Sequence, residues 1–245
     1  MKKRILSFLV AFVSVISLTV CLPTVAASAQ TVSDYVYEVL DNGTLQITGY
    51  VGEETKLDIP SEIDGYVVTS IGKEAFYNQT SITSVDIPDT VITIGKSAFS
   101  RCIGLESVTI PDSVTSIENY AFYRCSNLKS VTISDSVTTI SKSTFQECTS
   151  LTSISIPDSV VSIESDAFSY CTNLTSINIP HSVAYIGSRA FAMCESLKSI
   201  EIPSSVTELG TGVLSSCNEN LIIYCYKNSA GLSYAKNNIY IYCTG

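Results

Sequence analysis

Six cysteines recur at a spacing of 23 residues: Cys102, Cys125, Cys148, Cys171, Cys194 and Cys217. Thiols in such a series can oxidise in pairs, ligate a metal as thiolates, or pack as small hydrophobes. If each period is one coil of a stack, neighbouring coils lie about 5 Å apart, a separation that permits a disulfide. A structural zinc ion needs four ligands converging on one point, and a column spreads its sulfurs along a line. Three residues before each cysteine stands Phe99, Phe122, Phe145, Phe168 or Phe191, with Phe76 one period earlier and Leu214 closing the series. Two apolar columns side by side favour reduced, buried thiols packed against the aromatic rings. Cys225 and Cys243 stand outside the column in short Tyr- and Ile-rich strands, and in an exported chain they form a candidate disulfide.

Carboxylates make a second periodic set, Asp89, Asp112, Asp135 and Asp158, continued by His181 and Ser204. A row of acids could hold a divalent cation, but stacked calcium turns bring glycine-rich loops that these units lack. Aspartate after proline is expected instead to sit in a solvated turn. His181 is the one histidine and occupies a turn position, with no evident nucleophile or third group beside it. No phosphate loop, zinc motif or nucleophile elbow is present. A carboxylate pair of the glycosidase kind is not ruled out by spacing, yet regular coils offer no deep pocket to orient it. The expectation is a chain with no catalytic activity, no cofactor and no metal.

The elements that position these columns follow from the repeat. The units read "IPDTVITIGKSAFSRCIGLESVT" from Ile87, "IPDSVTSIENYAFYRCSNLKSVT" from Ile110, and three further gapless copies from Ile133, Ile156 and Ile179. A shared period with atypical end units defines a solenoid, in which no coil buries its apolar side alone. Within a unit, Leu105, Val108 and Ile110 alternate with Glu106, Ser107 and Thr109 as a short strand with one buried face. Pro111 ends its ladder for want of an N–H. Val114 and Ile117 form a second extended segment, and Ala121, Phe122 and Cys125 are read as one turn of helix or 3₁₀ that returns the chain. The fold class is therefore an α/β solenoid of about seven 23-residue coils, each with short parallel strands and a helical turn.

These residues resemble the BspA-type leucine-rich repeats, the Treponema pallidum type found in secreted and surface bacterial proteins. The motif I-P-x-S-V-x-x-I-x-x-x-A-F-x-x-C-x-x-L-x-S-I is matched over residues 59–221. "GYVVTSIGKEAF" from Gly65 resembles the family's first unit, and "NSAGLSYAKNN" from Asn228 its closing helix. The resemblance implies the fold; for function it implies a binding role, since the family includes adhesins for host extracellular-matrix proteins alongside many members of unknown role.

Residues 30–58 are expected to cap the first coil with a hairpin turning at Asp41-Asn42-Gly43. Residues 222–245 are expected to cap the last as strand, helix from Ser229, and strand. At the N-terminus, Lys2, Lys3 and Arg4 precede an apolar run from Ile5 to Leu22 and the small-x-small Ala27-Ser28-Ala29, the pattern of a secretory signal over residues 1–29. Competing readings are a retained membrane anchor, for which the run is just long enough, and lipidation at Cys21, where Val20 stands in place of a small residue. With the signal removed, 14 Lys+Arg fall to 11 against 23 Asp+Glu, a net charge of −12. That sign argues against nucleic acid and anionic membranes.

Outward strand positions give three columns, among them Glu106, Lys129 and Lys198, a file of serines, and Glu201. The face is rich in hydroxyls and lacks aromatics. Tyr77, Arg101, Tyr120, Tyr123, Arg124 and Tyr170 gather instead on the helical-turn edge, where such residues suit protein contacts or stacking on sugar rings. All ten are candidate partner-binding residues. The sequence thus points to a secreted or cell-surface binding protein acting in protein–protein interaction or adhesion, with a glycan-binding module as the alternative.

Overall fold

A computed structural model describes residues 34–238 and 241–244. The proposed signal, residues 1–29, lies outside the described residues. Two series of short parallel strands run the length of the stack. The main series begins at Lys56–Asp58, continues through Ser84–Asp86 and Ser107–Thr109, and ends at Ile222–Cys225 and Ile241–Thr244. The second begins at Leu45–Tyr50 and Tyr66–Ile71 and ends at Glu208–Leu209. Pairing steps by one sequence period: Val108 faces Val85 and Val131, and Ile163 faces Ile140 and Ile186. The 23-residue spacing is thus a hydrogen-bond register, and a shift of one residue would turn every apolar column outward.

The stack has about eight turns rather than the expected seven. The difference lies at the start of the chain. The hairpin of Tyr35–Val39 with Leu45–Tyr50 turns with Gly43 at φ +80°, as its sequence predicts. Its second strand then pairs in parallel with Tyr66–Ile71, while Lys56–Asp58 pairs with Ser84–Asp86. This segment therefore contributes a coil of its own as well as a cover.

The expected helical turn is corrected. Residues 118–125 form consecutive tight turns, with no helix. Ala121, Tyr123 and Cys125 donate to carbonyls three residues back, whereas Tyr120, Phe122 and Arg124 donate to Lys142, Thr144 and Gln146 of the next coil. A helix would consume every donor internally; alternation leaves half of them pointing along the stack, where the next coil accepts them. Left-handed residues make the alternation possible. They fall in two columns, each stepping by one period: Glu74, Ser97, Tyr120, Ser143, Asp166, Arg189 and Gly212, then Asn78, Arg101, Arg124, Glu147, Tyr170, Met193 and Ser216, with φ between 55° and 63°.

Inside the coils, Phe76, Phe99, Phe122, Phe145, Phe168 and Phe191 stack with ring centroids 5.0 to 5.6 Å apart. Tyr50 and Tyr35 extend the ladder into the first coil with tilted rings. At the far end the helix Ala230–Asn237 closes the stack, with the Ser229 hydroxyl accepting from the Leu232 N–H at 3.1 Å. It lies so close that a Cβ on Gly231 would come within 3.0 Å of Ile202. The Tyr234 hydroxyl accepts the Leu214 N–H at 2.9 Å, taking a donor that elsewhere in the column goes to a following coil. The strand–helix–strand end expected from the sequence is what the chain forms.

Candidate functional site: the turn edge

The cysteine column is an internal hydrogen-bonding element. Each thiol is free and lies 3.0 to 3.3 Å from the carbonyl oxygen of a phenylalanine 26 residues earlier, from Cys102 on Phe76 to Cys217 on Phe191. Phe99, for example, already accepts the Cys102 N–H within its own turn, and the Cys125 thiol fills its second lone pair. The thiol is therefore a donor as well as a hydrophobe. Gln79, which stands in the column one unit earlier, does the same with its amide, donating to the Tyr50 carbonyl at 2.9 Å. Burial pushes these thiols up, Cys102 to about 12 and Cys217 to about 11, so they are poor nucleophiles and poor ligands.

Cys225 is buried against the closing helix. Strand register sets Cys225 opposite Thr244 and Cys243 opposite Tyr224, one residue out of step. The Cys243 side chain lies outside the described residues.

Asp89, Asp112, Asp135, Asp158, His181 and Ser204 are all exposed, each at the second position of a turn such as Pro111 to Val114, closed at 3.0 Å. Among the described residues no three His, Cys, Asp or Glu side chains converge on a metal position. On the main-strand face, a shallow depression of about 320 Å³ is bounded by Lys56, Leu57, Asp58, Ser84, Val85, Asp86 and Thr109. Glu106, Lys129, Lys198 and Glu201 are exposed on the same face. Lys129 pairs with Glu106 at 2.9 Å, and Glu201 accepts from the Tyr226 hydroxyl at 2.7 Å. These polar side chains are spread over several coils.

The turn edge differs, because its side chains converge. The two left-handed columns and the residue after each ladder phenylalanine carry Tyr77, Arg101, Tyr120, Tyr123 and Arg124 onto one surface. The Arg101 guanidinium lies 5.9 Å from the Tyr77 ring centroid, and that of Arg124 5.1 Å from the Tyr123 ring. Tyr120 and Tyr123 meet edge to face at 5.9 Å. Glu147 joins them from the next coil, accepting from the Tyr123 hydroxyl at 2.9 Å and from Arg124 Nε at 2.7 Å. Glu147 raises the Arg124 value, while burial and then the Glu147 hydrogen bond raise that of Tyr123. Tyr170 sits in the column beyond Glu147, half-buried and without a ring contact to the cluster.

Glu147 is the residue that the sequence reading missed. It lies one period after Arg124, so opposite charges 23 residues apart were the available clue.

A stack of parallel coils with buried ladders inside and a cluster of aromatic and basic side chains on its turn edge defines a repeat scaffold for macromolecular contact. The BspA type leucine rich repeat region matches this chain in six copies over residues 69–174 and 138–244, and the chain belongs to that family. The Treponema pallidum leucine rich repeat protein has a similar structure, with a TM-score of 0.74 and 27% identity over 86% of this chain and 95% of that one. A leucine-rich repeat protein from Bacteroides ovatus is similar at a TM-score of 0.54 and 27% identity, over 80% of this chain and 64% of that one. No curated protein matches significantly in sequence. Members of the family are in general non-enzymatic repeat scaffolds that mediate protein interactions.

Proposed function

We propose that the chain is an exported bacterial binding protein that engages another protein through its turn edge, in adhesion to a surface or matrix protein. The cluster of Tyr120, Tyr123, Arg124 and Glu147 carries the reading. Tyrosine and arginine dominate interface hot spots because they bury large areas at low entropic cost while keeping polar groups to pair. Here they are pre-organised by contacts within the chain, which lowers the ordering cost of binding. Arg101 and Tyr77 extend the patch by one coil, and Tyr170 marks its far boundary. Glu106, Lys129, Lys198 and Glu201 would supply weaker polar contacts to a long partner that wraps onto the strand face.

Export rests on the basic start, apolar run and small-x-small end of residues 1–29. Among the described residues no helix is long and apolar enough to cross a membrane.

The test is a panel of immobilised matrix and surface proteins, with a glycan array in parallel, probed with mature chain and with a Tyr120→Ala, Tyr123→Ala double variant. Binding to a protein that the double variant loses supports the reading. Binding confined to glycans, or protein binding indifferent to both tyrosines, overturns it.

A further inference from the structure

Within the cluster of Tyr77, Arg101, Tyr120, Tyr123 and Arg124, one carboxylate, Glu147, serves two arginines. Arg101 and Arg124 occupy the same left-handed column one coil apart, which brings two cations side by side in a chain whose net charge is −9. Like charges on facing positions of adjacent coils repel. Glu147 answers only one of them: its oxygens are taken by Arg124 Nε and the Tyr123 hydroxyl. Other ion pairs among the described residues are Lys73–Glu74, Lys129–Glu106 and Arg189–Asp166, so Arg101 has none. The Tyr77 ring beneath its guanidinium supports one face of the plane and leaves the donors at its edge unused.

The other two arginines among the described residues, Arg124 and Arg189, each have a carboxylate. Arg189 has Asp166 one period away, at 3.3 Å, in the first left-handed column. Lys129 has Glu106 at the same interval on the strand face. Arg101 is the one arginine among the described residues with no such pair, and it lies in the middle of the aromatic cluster, between Tyr77 on one side and Tyr123 with Arg124 on the other.

We infer that the missing counter-ion is brought by the partner, and that this edge binds an acidic protein segment whose Asp or Glu carboxylate docks on Arg101 beside Tyr77 and Tyr123. The inference rests on the protein-binding role proposed above and names the chemistry of the partner. A carboxylate matches the guanidinium fork in a bidentate pair, which a neutral side chain does not. Its arrival relieves the repulsion between Arg101 and Arg124. The flanking tyrosines then take apolar or aromatic neighbours of the acid, so the favoured segment alternates acidic and large apolar residues. Opposite charge also speeds encounter, which makes the association salt-dependent.

A random peptide library displayed on phage and selected on the immobilised mature chain tests this. Selected peptides are expected to carry Asp or Glu beside aromatic or large aliphatic residues and to weaken as salt rises. Arg101→Asn is the informative variant: asparagine tolerates a left-handed backbone, and Asn78 holds the same column position one coil earlier. It should reduce affinity about tenfold or more, whereas Arg189→Asn, also left-handed and outside the cluster, should leave affinity unchanged. Neutral or basic selected peptides, no selected peptides, direct binding of a polyuronate in their place, or acidic peptides that bind the Arg101→Asn chain equally well would each overturn the inference. A protein ligand lost with Tyr120 and Tyr123 but indifferent to Arg101 leaves the general function standing and removes the acidic partner. Failure of every protein and peptide removes both.

Discussion

The thiol of Cys125 donates to the carbonyl oxygen of Phe99, 26 residues earlier and one coil away, at 3.2 Å. The bond joins the aromatic ladder to the thiol ladder and gives each coil a side-chain tie to its predecessor in the dry interior. Truncation of a central thiol therefore removes a donor from a buried carbonyl and leaves a void. Cys148→Ala is expected to lower unfolding stability by about 1–2 kcal/mol, and Cys148→Ser, which keeps a donor, by less. The check is the urea midpoint at unchanged slope; equal losses in the two variants would make the thiol a space-filler only.

Reactivity follows from the same burial. The six column thiols should resist an aromatic disulfide reagent in the native chain, with Cys217, the least enclosed, yielding first. Denaturation without reductant should release all six. A shortfall on denaturation would mean that the column is oxidised in the isolated protein.

Stability should fall in alkali. An exposed thiol titrates near 9.0, whereas desolvation moves Cys102 to about 12 and Cys217 to about 11 and holds Cys125, Cys148 and Cys171 well above the ordinary value. Above pH 9 the unfolded chain gives up protons that the folded chain keeps, so this contribution is whole below pH 9 and declines as pH rises toward the folded values. Each thiol adds a slope of about 1.4 kcal/mol per pH unit. Urea midpoints measured across this range should drop steeply, and less steeply in a Cys102→Ala, Cys217→Ala chain; a flat profile would refute the assignment.

Left-handed turns should respond to side-chain shape. Ser97 holds φ +57° in a column where Gly212 is the one glycine. Valine at position 97 should cost about 1–2 kcal/mol, because a branched Cβ crowds the following carbonyl, while glycine should cost nothing or stabilise slightly. Thermal midpoints of Ser97→Val and Ser97→Gly test this, and the reverse order would place the turn in another conformation.

The repeat, its register and the inward columns were legible in the sequence because each depends on one residue type recurring at a fixed interval. The turn geometry was not. Left-handed positions advertise themselves through glycine, and here all but Gly212 are filled by Glu, Ser, Tyr, Arg, Asp, Asn and Met. Ala121, Phe122 and Cys125 have an apolar spacing that fits one helical turn equally well, and only the need for donors along the stack axis excludes it. The thiol bonds were hidden for a related reason: their acceptors are backbone carbonyls, which carry no mark in the sequence. Tyr77, Arg101, Tyr120, Tyr123, Arg124 and Tyr170 were recognisable as one edge. That Tyr170 stands apart while Glu147 belongs could not be read from single columns.

By itself, then, the sequence determined a stack of coils, the residues that face inward, and the composition of each outer edge, since a coil can bury its apolar side only against identical neighbours. Tertiary structure alone decided how backbone donors are shared between coils, which carbonyl each thiol meets, and which charges along the edge are paired. Those outcomes depend on distances of a few ångströms between residues more than twenty positions apart, and only stacking brings such residues within reach. Seen this way, the 23-residue interval places Arg124 against Glu147 and leaves Arg101 facing outward without a counter-ion.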